Sequence, residues 1–478
     1  MNPLRRSLTP HAPHARLARF VPLVLPLVAA LVLAGCATTT APLPEALPEM
    51  PATFKEGGTA WTRDPAPAPQ GAWWQAFADP ALDALIERAT SANTSVQAAA
   101  ARLAQARALL RSADAERAPQ VGVGAGATRE AQRGLGVAPG TVLSAGASLS
   151  YEVDLVGRLA GASNAAALDA RAREALLRST QLLVQSQVAQ AYFGLRALDT
   201  ERMLVRDTVA AYRDTQDLIE RRLRAGDVAE LDLARVRSEV AATEAEALAL
   251  ERQRALLEHA LALLVGAPAS AFRVADTAEW AAPLPQVPTG VPSTVLARRP
   301  DIAAAQDGLR AAQARVGVAQ AAWFPSLSLT GSGGIASPEL SDLFRSAARA
   351  WSVGALLALP IFDGGRREAG VASAQAGLDA AWVAYREQLL VAFKDVEDEL
   401  VALRLLDAQG RAQAQAVDAA TRATTLSEVR YRNGLVSQLE LLDARRSELR
   451  NRRQALQVKA ARYQATVGLI RALGGGWG

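Results

Sequence analysis

The chain is written twice. Gln105-Ala106-Arg107 returns as Gln313-Ala314-Arg315, Gly157-Arg158 as Gly365-Arg366, and Gly226 as Gly434, each 208 positions later. Three distant anchors at one offset mean a tandem duplication, so a single plan must account for both halves. Between the second and third anchors each copy has a stretch without proline, 157–226 and 365–434, each 69 residue steps long. At ~1.5 Å per residue a continuous helix there is about 100 Å long. Leu168, Ala172, Ala175, Ser179, Leu182, Ser186, Ala189 and Phe193 follow alternating steps of four and three. That is a heptad seam rich in small residues, which lets the facing helix approach closely. Composition agrees: aromatics are 5% of the chain, and much alanine suits long, closely packed helices better than a thick core.

Each copy opens with a helix, 82–116 in the first and 302–322 in the second, followed by a proline (Pro119, Pro325) and a change of period. In "TVLSAGASLSYEVDL" (141–155), Leu143, Ala145, Ala147, Leu149, Tyr151 and Val153 alternate with Ser144, Gly146, Ser148, Ser150 and Glu152. A period of two with one apolar and one polar face predicts a strand. "PQVGVGAGAT" alternates likewise, and the loop 129–140 joins the two; in the second copy "FPSLSLTGSG" and "AWSVGALLALPIF" are joined by 334–349. Each copy thus predicts one hairpin of strands ~10 residues long, enough to cross a tilted bilayer. Ser144, Ser148, Ser150 and Glu152 are expected to face a lumen, and Leu143, Leu149 and Val153 lipid. After each long helix, Gly226 or Gly434 fits a helix C-cap where the chain reverses. Return helices follow over 230–265 and 438–473. At the common offset Asp443 falls opposite Arg235, and Tyr431 opposite Leu223.

The formal charge of +4 is no footprint for nucleic acid. Four of the 52 basic residues (Arg5, Arg6, Arg16, Arg19) lie in 1–35, which has no acidic residue; the remainder is 48 basic against 48 acidic. That basic segment and the 14-residue apolar run 20–33 read as an export signal, too short to span a bilayer. It ends in Leu33-Ala34-Gly35-Cys36, which resembles a bacterial lipobox, so the only cysteine in the chain is expected to carry diacylglycerol. The other reading is an ordinary signal peptide with an incidental cysteine. Ala37 rather than aspartate follows, which in such lipoproteins resembles outer-membrane sorting. With Cys36 acylated no disulfide is possible, and His259 is the only histidine outside the signal. A Cys/His metal centre and a Ser-His-Asp triad are excluded on inventory. "GVGAGAT" lacks the lysine and following helix of a phosphate loop. No cofactor is expected, and no methionine or histidine cluster is present to serve copper or silver.

Four amphipathic strands leave two raw sheet edges, which a bilayer does not tolerate. The sheet must close with other copies: two give 8 strands, whose barrel is filled by side chains, and three give about 12, which leaves an aqueous lumen.

The residues also carry a resemblance. "WWQAFADPALDALIERATSANTSVQAAAARLAQAR", "RRPDIAAAQDGLRAAQARVGVAQAAWFPSLSLTGSGG", "PIFDGGR", "RYRNGLVSQLELLDARR" and "RALGGGW" resemble the TolC/OprM-type outer-membrane efflux proteins, and among them the lipoprotein branch. The resemblance covers nearly all of the chain beyond the signal. It implies an α+β membrane protein: a trimer whose 12-stranded β-barrel is continuous with a periplasmic α-helical barrel. It also implies a periplasmic adaptor protein and an inner-membrane pump of the resistance-nodulation-division type as partners, with outer-membrane lipid around the barrel. The segments expected on this basis are a lipoprotein signal (1–35), an anchor with proline-rich linker and equatorial N-terminal segment (36–80), a first repeat (81–267), a proline-rich connector (268–298), a second repeat (299–473) and a glycine-rich tail (474–478). Tyr431, Leu439, Asp443 and Arg446 match positions that close the resting channel in that family. A plainer reading makes Asp443 and Arg446 an ordinary i, i+3 surface pair. The alternative function is the outer-membrane duct of a type I protein secretion system. A purely structural coiled coil leaves the strand hairpins unexplained, and no catalytic constellation supports an enzyme.

Overall fold

The computed structural model describes residues 52–57, 71–132, 137–277, 280–288 and 298–476. The export signal, Cys36, the proline-rich stretches 41–51 and 65–69, and the end of the connector lie outside them. Among the described residues no helix is long and apolar enough to cross a membrane. The chain divides into two compact units that cut across the sequence repeats, each repeat contributing to both.

The first unit (108–167 and 310–380 among its described residues) holds a four-stranded antiparallel sheet in the order β1-β2-β3-β4. The strands are β1 (Gln120–Gln132), β2 (Val137–Val153), β3 (Ser326–Ser337) and β4 (Arg349–Ala358). Three of the four are longer than the sequence pattern suggests. β1 and β2 run into 129–140, and β3 runs through 334–337, both expected to be loop. Backbone pairing continues there after the alternation of side chains has faded: Glu130 still pairs with Gly140, and Ile335 with Arg349. The register places Val121, Leu149 and Gly331 side by side on one face, with Val353 next in line. That face also carries Val123, Tyr151, Leu329, Trp351 and Leu357; Val123 and Trp351 are 88% and 80% exposed. The opposite face is built of Gly122, Ser148, Ser332 and Ser352 and their neighbours, with Val142 and Leu356 its large apolar members. Ser332 and Ser352 share a hydrogen bond of 2.8 Å across it. Gly146 and Gly334 are paired so tightly that a Cβ on Gly146 would lie 2.8 Å from the Gly333 carbonyl.

In the second unit (52–107, 168–309 and 381–476 among its described residues) two long helical hairpins dominate. In chain order the long helices among the described residues are α1 (Pro80–Ala92), α2 (Thr94–Ala115), α3 (Arg158–Arg224), α4 (Glu230–Leu264), α5 (Pro300–Ala321), α6 (Arg366–Arg432) and α7 (Gln438–Ala472). Helices α3 and α6 are 67 residues each and α4 and α7 35 each, so the duplication is kept to the residue. The seam residues Leu168, Ala175, Leu182, Ser186, Ala189 and Phe193 are buried, Ala172 and Ser179 half-buried.

The single helix expected over 82–116 is two helices. Asn93 sits between α1 and α2 in an extended conformation. Its side-chain oxygen accepts from the Ser95 amide at 2.9 Å and so caps α2, while its amide donates to the Leu264 carbonyl at 2.9 Å. The break satisfies one of the free carbonyls at the end of α4, which a continuous helix could not reach. Gly266, at φ +66°, packs there against Ala92 so closely that a Cβ would overlap the Ala92 carbonyl.

Several of the few aromatics form one cluster in the second unit. Tyr463 lies 4.8 Å from Phe193 and 4.4 Å from Trp280 between ring centroids, and Phe77 lies 4.8 Å from Phe193. Tyr192 donates to Asp79 at 2.7 Å; burial pushes its phenol up to about 12, so it stays a donor. Asp199, Arg254, Glu258 and Asp276 form a buried-to-exposed ion network beside this core, with Arg254 Nε 2.6 Å from Asp199.

Candidate functional site at the hairpin turns

Both hairpins turn by the same device. Helix α3 ends at Arg224; the Gly226 amide donates to the Leu223 carbonyl at 3.0 Å and the Asp227 amide to the Arg222 carbonyl at 2.9 Å. Helix α6 ends at Arg432; Gly434 donates to Tyr431 at 3.0 Å and Leu435 to Arg430 at 2.9 Å. This paired 5→2 and 6→1 pattern needs a left-handed residue, and Gly226 and Gly434 sit at φ +82° and +72°. The copies differ in the next step. Ser437 caps α7 by accepting from the Glu440 amide at 3.4 Å, whereas Ala229, at the matching position, offers α4 no side-chain cap.

Beyond the turn the second copy carries the polar group singled out in the sequence. Leu439 and Asp443 are exposed on successive turns of α7. Arg446 Nη1 donates to Asp443 Oδ1 at 3.2 Å, so the i, i+3 pair does form. It is not isolated, because Arg446 also grips Glu239 of α4 with two hydrogen bonds, one of them 2.7 Å from Nε. Tyr431 accepts from Arg222 of α3 at 3.3 Å. All four residues therefore lie around one turn, and two of them bind the first hairpin. Arg235, opposite Asp443 in the duplication, only approaches Asp232 on its own helix at 4.0 Å.

Several partners escaped the sequence reading. Leu442 is 1% exposed, buried with Tyr212, Ile219, Leu233, Val236 and Val240 of the first hairpin. Arg445 donates to Thr215 at 3.0 Å, and Arg453 to Glu201 at 2.7 Å and to Glu246. The Tyr212 hydroxyl is buried with no partner among the described residues; burial, then the nearby Glu239 carboxylate, pushes its phenol up. One signal could have found the charged set: Glu239 and Glu246 are seven apart, as are Arg446 and Arg453.

The sequence pattern of the family described as "Outer membrane efflux protein" matches residues 85–267 and 291–475, one match per repeat. The chain is 35% identical over 463 residues to the pyoverdine export outer membrane protein OpmQ of Pseudomonas aeruginosa, covering 94% of this chain and 96% of that protein. It is 32% identical over 457 residues to the cation efflux system protein CusC of Escherichia coli, covering 95% and 98%. Among solved structures the outer-membrane channel OprN superposes with a TM-score of 0.85 at 30% identity, over 92% of this chain and 100% of that one.

Proposed function

The chain belongs to the outer membrane efflux protein family, and on that premise we propose that three copies join their sheets into one barrel whose exit duct is closed at rest by the α6–α7 turn. It is an outer-membrane channel subunit of an efflux system, of the α+β, tandem-duplicated, trimeric class, and not an enzyme. The observation that carries the channel reading is the sheet: one face apolar and exposed, the other mostly of glycine, serine and threonine, with β1 and β4 as unpaired edges. Pairing β4 of each copy with β1 of the next satisfies both edges and turns the small polar face to a wet lumen.

Cys36 tethers the chain to the outer membrane by its acyl groups. Its partners are a periplasmic adaptor and an inner-membrane pump of the resistance-nodulation-division type, which supplies the energy. Relatives named for pyoverdine export and for cation efflux match this chain almost equally well, so the duct does not select its cargo. Small toxic compounds and drugs are the cargo class proposed, and protein secretion has no counterpart among these named relatives.

For the gate, Leu439 and Asp443 face the pathway while Arg446 and Tyr431 hold α6 and α7 against the first hairpin. Three-fold symmetry turns Leu439 into an apolar ring and Asp443 into a carboxylate ring one helical turn away. Replacing Leu439 and Asp443 together by alanine should sensitise cells to a large antibiotic that the outer membrane normally excludes, and Arg235→Ala should do so less. Equal sensitivity in wild type and double variant would remove these residues from the gate.

A further inference from the structure

Helix α7 changes character along its length. Leu441 and Leu442 near the turn are buried, as is much of the helix from Val458 onward, but no residue of 443–457 is buried. Beyond Val458 it runs through the aromatic core, where Lys459 donates to the Trp280 carbonyl at 2.7 Å. Over the unburied span, polar groups tie α7 to its own partner: Thr424 donates to the Ala444 carbonyl at 3.1 Å and Gln413 to that of Asn451 at 3.1 Å. The second hairpin is therefore bonded internally there, and it meets the first hairpin through arginines.

Those arginines are not equivalent. Arg445 and Arg446 each reach one helix of the first hairpin, Thr215 on α3 and Glu239 on α4. Arg453 reaches both: its Nε donates to Glu201 on α3 at 2.7 Å, and Nη1 to Glu246 on α4. Glu201 is 8% exposed in its side chain, so losing this contact leaves a buried carboxylate without its partner. Between Arg446 and Arg453 lies an open groove of about 520 Å³, floored by the Tyr212 hydroxyl and edged by Arg450, neither of which has a hydrogen-bond or ion-pair partner among the described residues. Exposed ion pairs trade readily for water, whereas a buried carboxylate without its partner is costly. Toward Gly434 the hairpins are held by the Leu442 cluster and by arginines that each reach a single helix, whereas Arg453 ties α7 to both helices of the first hairpin at once.

We propose that Arg453 is the fulcrum of the gate, a positioning residue that pins α7 to both helices of the first hairpin. The segment toward Gly434 swings about it, and the segment beyond Val458 stays packed. This rests on the gate reading for its function but not for its geometry.

The test uses hydrogen exchange and planar-bilayer conductance on the full-length trimer with Arg453→Gln, Arg453→Lys and Arg450→Gln. In Arg453→Gln the amides of 440–452 should exchange at least about tenfold faster, a factor worth about 1.4 kcal/mol, while 463–472 stay protected. Resting conductance should rise with it. Arg453→Lys, which keeps the charge beside Glu201, should recover part of both, and Arg450→Gln should match wild type. Unchanged exchange in Arg453→Gln, an equal effect in Arg450→Gln, or loss of protection through 463–472 overturns the fulcrum. Faster exchange without a rise in conductance upholds the fulcrum and overturns the gate. A leaky Leu439/Asp443 double variant beside an unaltered Arg453→Gln does the reverse.

Discussion

Leu149→Arg and Ser148→Arg put the same charge one residue apart on β2, on opposite faces of the sheet. Leu149 stands between Val121 and Gly331 on the apolar face; Ser148 stands between Gly122 and Ser332 on the small polar one. Leu149 is four positions from the strand end at Val153, about 13 Å at ~3.3 Å per residue. With strands tilted ~40° that is about 10 Å along the membrane normal, well inside the ~25 Å apolar band of a membrane barrel, near whose midplane an arginine facing lipid costs about 2–4 kcal/mol. Three copies raise this to about 6–12 kcal/mol per assembly. At Ser148 the neighbouring glycine and serine leave room for the longer chain, and the guanidinium stays in water. Trimer surviving detergent extraction, measured by native mass spectrometry of outer-membrane fractions, should fall severely for Leu149→Arg and little for Ser148→Arg. Equal losses, or the reverse order, would mean that the apolar face does not meet lipid.

Palmitate labelling should mark the wild type and not Cys36→Ser, while trimers still form; equal labelling would dismiss the lipobox. Glu399 of α6 has its pKa raised to about 7, chiefly by burial and then by Asp398 and Asp395, against the opposing pull of Arg471 and Lys394. The folded chain thus holds this proton more tightly than the unfolded one, and stability falls as pH rises from about 4.5 to 7. The full shift would be worth about 3 kcal/mol, and solvent reaching this half-buried group reduces that to about 1–2 kcal/mol. Glu399→Gln should therefore stabilise the protein at pH 8 and not at pH 4 in chemical denaturation, and a pH-independent difference would refute the assignment. Gly434→Ala meets open space and should cost only about 1 kcal/mol for its left-handed backbone, whereas Gly266→Ala must also displace the Ala92 carbonyl and should lower stability more; the opposite ranking would contradict the packing at Asn93.

How much of this was legible in the sequence depended on the range of the forces involved. Helices α3 and α6 begin and end within two residues of the glycines that bracket them, because a missing proline, a heptad and a C-cap glycine are all local. The sheet faces followed from a period of two. The break at Asn93 did not, since its cause is a carbonyl 171 residues away at the end of α4. Strand ends at 129–140 were missed because pairing there is backbone to backbone and leaves no alternation in the side chains. At the turn, Tyr431 and Asp443 stood out by departing from the first copy, and Leu439 and Arg446 by the family resemblance, but Glu239 and Glu201 became visible only when two hairpins were placed side by side.

Single-channel conductance of the purified full-length protein in planar bilayers tests the central claim most directly, that this chain builds a water-filled duct held shut at the α6–α7 turn. The wild type should insert as a trimer with small, rare openings, and the Leu439→Ala/Asp443→Ala variant should show long-lived steps of several-fold larger conductance. Identical traces from the two proteins, or conduction by a stable monomer, would contradict it.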